Sequence, residues 1–189
     1  MRKVYFLGLI TVGLILTAHA DIIPSLTPVT PSGSDFTWSY AANVTVDETV
    51  NTGDFFTIYD FGSFVAASNL QPAGWTFSSS LLGVTPSQVL PNDNPSLLNL
   101  TWTYTGTTPI VGAAALGNFS VLAATNLLTT SQFAAEATRS SGPNAGTKID
   151  NIGQVSVPVP EMSALLPILS VCCAGLVAGI PSLLRRRKE

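Results

Sequence analysis

Between residues 21 and 158 the chain has no cysteine and no histidine. Its one histidine is His19, and its two cysteines, Cys172 and Cys173, stand near the carboxyl end. Without imidazole or thiol, this stretch excludes Ser-His-Asp triads, Cys-His dyads and zinc sites of the usual kind. Disulfide cross-links are excluded with them. Cations are nearly missing too: Arg139 and Lys148 face nine carboxylates over the same residues, a net charge of −7. So acidic a surface repels phosphates, and nucleic acid is not an expected partner. No motif calls for a cofactor, and no internal repeat is visible. The length is that of one domain able to bury a core without cross-links.

Long apolar runs are confined to the two ends. Met1-Arg2-Lys3 is positively charged, residues 4–17 are apolar and uncharged, and Ala18 and Ala20 place small side chains where a signal peptidase reads. This three-part plan predicts a secretory signal peptide over residues 1–20, cleaved before Asp21, with the secretion machinery and signal peptidase as partners. Residues 164–184 form an uncharged, predominantly apolar run. At 1.5 Å per residue a helix of that length spans about 31 Å, which matches a hydrocarbon core of roughly 30 Å. Arg185, Arg186, Arg187 and Lys188 follow, and flanking cations favour the cytoplasmic side. The expected topology is an exported domain with its basic tail inside. Cys172 and Cys173 lie within this run and read as small apolar packing residues.

The order Val159-Pro160-Glu161, a single span and an Arg-rich terminus resembles the PEP-CTERM sorting signal. The resemblance covers residues 157–189, with one departure: Met162 stands where the usual Pro-Glu-Pro has its second proline. It implies a bacterial exosortase substrate, held in the membrane by its carboxyl-terminal helix and then released to the envelope or the extracellular space. Extracellular polysaccharide and biofilm are the context that such a signal implies. A second likeness, to uncharacterised ectodomains that accompany such tails, is carried by three segments. They are the aromatic run over residues 55–61, Pro72-Ala73-Gly74-Trp75 and Pro95-Ser96-Leu97-Leu98-Asn99-Leu100. No activity comes with it.

In the exported part the apolar period is two. Phe36, Trp38, Tyr40, Ala42, Val44 and Val46 alternate with small or polar residues, and Leu98, Leu100, Trp102 and Tyr104 do the same. Such alternation predicts strands with one core face and one wet face. Residues 55–61 are apolar on both faces and suggest a central strand. Residues 75–79, 118–124 and 154–157 are shorter candidates, and residues 127–138 fit either a helix or a strand. Turn residues between these segments favour an all-β fold, an antiparallel β-sandwich. The expected division is a signal peptide (1–20), a weakly packed Pro/Ser/Thr-rich leader (21–34), the β-sandwich (35–157) and the sorting signal (158–189).

Candidate sites are sparse. Trp75 opens a strand after a turn, where an indole either closes the end of a sandwich or offers a glycan-stacking platform, with Tyr59 or Tyr104 as neighbours. Asp47, Glu48, Asn51 and Asp54 form one oxygen-rich loop and Asn92-Asp93-Asn94 another. Neither has the spacing of a calcium loop, and turn chemistry explains both. Three glycosylation sequons, at Asn43, Asn99 and Asn118, are chance matches in a Ser/Thr-rich chain. The composition therefore points to a non-enzymatic envelope or matrix protein. The alternative is a carbohydrate-binding module, and a carboxylate-based glycosidase is the remote one.

Overall fold

The computed structural model describes residues 22–160. The stretch read as a signal peptide, with Ala18 and Ala20, Glu161 of the expected sorting motif, the apolar run 164–184 and the basic cluster 185–188 lie outside the described residues. Among the described residues no helix is long and apolar enough to cross a membrane.

Strands follow one another along the chain: β1 (Ile22–Leu26), β2 (Thr30–Ser32), β3 (Asp35–Val44), β4 (Glu48–Val50), β5 (Phe55–Phe61), β6 (Trp75–Ser80), β7 (Leu98–Tyr104), β8 (Ile110–Val111), β9 (Ala114–Ala123), β10 (Leu128–Arg139) and β11 (Lys148–Pro158). All pairings are antiparallel and give two sheets. In the smaller, β3 lies between β9 and the β1/β2 edge; in the larger, the order β6-β7-β5-β10 continues to β11, while β4 extends from β10 and carries β8.

The sheets pack face to face over an aromatic core. Trp38 and Tyr40 of β3 and Phe119 of β9 are fully buried against Phe56 of β5 and Trp102 of β7. Ring contacts cross the gap at 5.0 Å (Phe56–Phe119), 4.9 Å (Trp75–Phe119) and 6.1 Å (Trp38–Phe61), all edge-to-face. That arrangement sets positive ring edges on negative faces.

Two bulges decide which side chains reach this core. Between Ile58 and Phe61 the register of β5 against β7 slips, and Asp60 takes a left-handed φ of 55°. One extra residue flips the parity, so Phe56, Ile58 and Phe61 all point inward. A second slip, between Ala42 and Asn43 of β3, lies opposite Gly117, whose φ is 105°. It brings Leu116 inward with Phe119 and Val121, and a Cβ on Gly117 would stand 2.7 Å from the Pro72 ring.

Several expectations need correction. The stretch read as a weakly packed leader supplies β1 and β2; all five residues of β1 pair with β3, and Ile22 is fully buried. Of the two options for residues 127–138, the strand is the one found: β10 covers Leu128–Arg139. Val46 lies beyond the end of β3 and is exposed. The largest departure concerns the wet face of β7, where Asn99 and Thr101 are as buried as the core, as are Thr57 and Tyr59 of β5.

Candidate functional site

The cover over that outer face is the β6–β7 loop, residues 81–97, and it is fastened by polar bonds. Thr57 Oγ1 and Tyr59 Oη donate to Val84 O at 2.7 and 2.9 Å. Asn99 Nδ2 donates to Leu81 O and to Asp93 Oδ1. In the reverse direction, loop amides donate to sheet side chains: Gln88 N to Asp150 Oδ2 at 2.6 Å, Asn92 N to Gln132 Oε1 at 2.6 Å, and Asn94 N to Asp60 Oδ1 at 2.8 Å. Gly83 lies flat on the Tyr59 ring, where a Cβ would meet Cε1 at 2.6 Å. Burial, the largest influence on Tyr59, pushes its phenol above the ordinary range. A loop this long inside a compact domain is ordinarily functional or disordered, and here it is pinned at six or more points.

Where the loop meets β10 it leaves a polar cleft of about 160 Å³ lined by Asp60, Asn92, Thr130, Ser131, Gln132 and Gln154. The bulge aims the Asp60 carboxylate here: its amide is held by Asn99 Oδ1 at 2.9 Å, and Ser131 Oγ donates to Oδ2 at 3.3 Å. Every lining side chain is a hydroxyl, a carboxamide or a carboxylate. Such a set matches the hydroxyls of a sugar or polyol, but no aromatic ring lines the cleft for stacking. At the far end of the sheet a second cleft of about 320 Å³ is lined by Asp47, Arg139, Ser141, Gly142, Pro143 and Asn144.

The carboxylates near that far end serve the fold. Asp54 is fully buried; it accepts from Asn51 N at 2.7 Å and Thr138 Oγ1 at 3.1 Å, and its other oxygen pairs with Lys148 Nζ. Lys148 also reaches Glu136 at 3.3 Å. Burial alone would lower the lysine pKa, but Asp54 and Glu136 outweigh it and leave it raised. Glu48 is buried and accepts from Thr45 Oγ1. Glu136 and Asp150 stand opposite each other on β10 and β11, and Glu136 and Asp54 share the Lys148 ammonium. Glu136 is engaged by Lys148, however, and Asp150 holds the loop through Gln88, its Oδ1 buried without a partner. Of the expected loop, Glu48 and Asp54 are drawn inward while Asp47 lines the second cleft, and among the described residues no group of three His, Cys, Asp or Glu gathers for a metal.

Trp75 offers no platform. It is 5% exposed, with its ring 4.9 Å from Phe119, 5.3 Å from Tyr104 and 6.0 Å from Phe56. The suggested neighbours Tyr59 and Tyr104 are buried as well, so the glycan-stacking role falls away and the sandwich-closing one holds. Val159 and Pro160, the start of the expected sorting motif, lie against the domain: Val159 N donates to Leu127 O at 3.0 Å, and Ser63 Oγ donates to Val159 O at 3.3 Å. Gly62 has no room for a Cβ there, which would stand 2.6 Å from Pro160 N. Asp60, Gln132 and Gln154 carry no motif, and the only sequence signal for the cleft is a lone acid inside an otherwise apolar strand. No family model, curated protein or solved structure matches this chain.

Proposed function

We propose that this chain is an exported, non-enzymatic protein of the cell envelope or extracellular matrix, delivered by its signal peptide and sorted by its PEP-CTERM-like tail. The observation that carries this reading is that the described strands, from β1 (Ile22–Leu26) to β11 (Lys148–Pro158), pack into a two-sheet core between the two apolar ends of the chain. The last of them stops just before Val159-Pro160-Glu161, and this stretch is free of cysteine and histidine. Fractionation of the producing cell with mass spectrometry of each fraction tests it. The expected product begins at Asp21 and is found in membrane, envelope or medium. An intact Met1 on a cytosolic protein overturns the reading.

A second reading, carbohydrate binding, is favoured by the cleft at Asp60. Its hydroxyls and carboxamides suit sugar hydroxyls, and the absence of a stacking ring suits weak, edge-on contact. Binding of the cell's own polysaccharide that is lost in Gln154→Ala supports it. Retention of that binding in Gln154→Ala, or no binding at all, removes it.

A further inference from the structure

We infer that the end of the domain from which the tail departs rests on the lipid surface, with Leu127 and Leu128 as its contact residues. The inference rests on the membrane-tail reading above and adds to it an orientation and a surface. Leu127 and Leu128 are 63% and 58% exposed, although Leu127 precedes and Leu128 begins a strand whose later residues build the core. They flank the chain's departure point, for Leu127 O accepts from Val159 N, and Leu128 is the register partner of Pro158. Only residues 161–163 separate Pro160 from the apolar run, a reach of at most about 14 Å even fully extended. A domain fixed so closely to a span cannot keep this end far from the headgroups.

Charge follows the same polarity. Asp47, Glu48, Asp54, Arg139 and Lys148 gather at the opposite end, where β10 finishes and β11 begins. At the departure end stand Asp35, where β3 begins, and Asp60 and Asp93, both of which are tied up in hydrogen bonds with the loop and with Asn99. Leu81 and Leu82, where β6 leaves the sheet beside Asn99, are also exposed there. Desolvation at an interface is costly for carboxylates and favourable for leucines, so this end is the one suited to lipid. The opposite end also shows Val46 and Val111 to solvent, but beside Asp47, Arg139 and the half-exposed Lys148, which would have to be stripped of water.

The test uses the full-length chain, exported in a host without exosortase so that the tail is retained, and reconstituted into vesicles that carry a quencher on the lipid headgroup. In a Cys172→Ala, Cys173→Ala background, an environment-sensitive dye is placed at Leu127→Cys or Leu128→Cys and, as control, at Ser141→Cys. Ser141 lies beyond the far end of β10, roughly 40 Å away at ~3.3 Å per residue. The expected result is a blue shift and loss of fluorescence at 127 and 128 and neither at 141. Protein that floats with the vesicles but shows equal, weak quenching at all three sites overturns the orientation alone. Protein that does not float overturns the tail reading, and this inference with it.

Discussion

Where β5 and β7 run, both faces of the larger sheet are closed to water, and they are closed by opposite chemistry. Inward, Phe56, Ile58, Leu100 and Trp102 meet the smaller sheet through rings and methyls with no hydrogen bond between the sheets at that point. Outward, Thr57, Tyr59, Asn99 and Asp150 bind the backbone of residues 81–97. The inner face is non-directional, so its stability scales with buried area. The outer face is directional, and each bond there contributes modestly but strands a buried group when it is lost. One face therefore supplies stability, while the other holds a loop and its cleft in place.

Breaking the inner face should have the largest effect. Phe56 stacks on Trp102 at 5.1 Å and meets Phe119 and Trp75 edge-on. Phe56→Ala should cost about 3–5 kcal/mol in denaturant unfolding, as large-to-small changes at buried aromatics do. A loss below about 1 kcal/mol, within the range of surface changes, would mean that the two sheets do not share one core.

The contrast between faces also explains how far the amino-acid pattern could be read. The alternation in residues 36–44 and 98–104 placed Trp38, Tyr40, Leu100 and Trp102 inward, because inward positions are selected for apolarity alone. The same alternation labelled Asn99 and Thr101 as wet. A polar residue facing water and one facing a polar loop carry the same signature, and the cover comes from residues distant along the chain. The two bulges were hidden for a related reason: a one-residue slip leaves apolar residues on both parities, as in residues 55–61. The cleft at Asp60 depends on one such bulge and on the loop together. The strand beginning at Ile22 was masked by prolines, which an edge strand tolerates.

Breaking the polar face should cost less. Asp54→Ala leaves the Thr138 hydroxyl and the Asn51 amide without their acceptor, and removes the partner of Lys148. A loss of about 2 kcal/mol is expected, since the stranded groups are buried but Lys148 is half-exposed and can turn to solvent. Asp54→Asn keeps one acceptor and should recover part of it. Equal stability of wild type and Asp54→Ala would show that the network contributes nothing.

Tyr59→Phe and Gly83→Ala sharpen the comparison further, because they act on the loop alone. Tyr59→Phe removes the bond to Val84 O and that to Thr85 Oγ1, and should cost about 1 kcal/mol. Gly83→Ala drives a methyl into the Tyr59 ring. In both, amide hydrogen exchange should quicken at Gln88, Asn92 and Asn94 while the amides of β3 and β9 keep their protection. Uniform acceleration in both sheets would mean that the loop and the core open as one unit.

The smallest effects come from ionisations that show only in alkali, yet they separate the two faces. Tyr40, whose hydroxyl donates to Ser156 O at 2.9 Å, has its phenol raised by burial; Tyr59 is raised chiefly by the same cause. Lys148 is raised because Asp54 and Glu136 outweigh its burial. For all three the native state holds its proton more tightly than the unfolded chain. Their stabilising effect is therefore complete below the ordinary values of 10.0 for tyrosine and 10.5 for lysine, and is lost as pH rises towards the native ones. Unfolding free energy should fall from about pH 10 upward. Tyr40→Phe, on the inner face, should flatten that fall most, Tyr59→Phe less, and Lys148→Met least, because water screens the half-exposed ammonium. If Lys148→Met flattened it most, the ion pair with Asp54 would outrank both buried phenols, and the division between an apolar, stabilising face and a polar, positioning one would have to be redrawn.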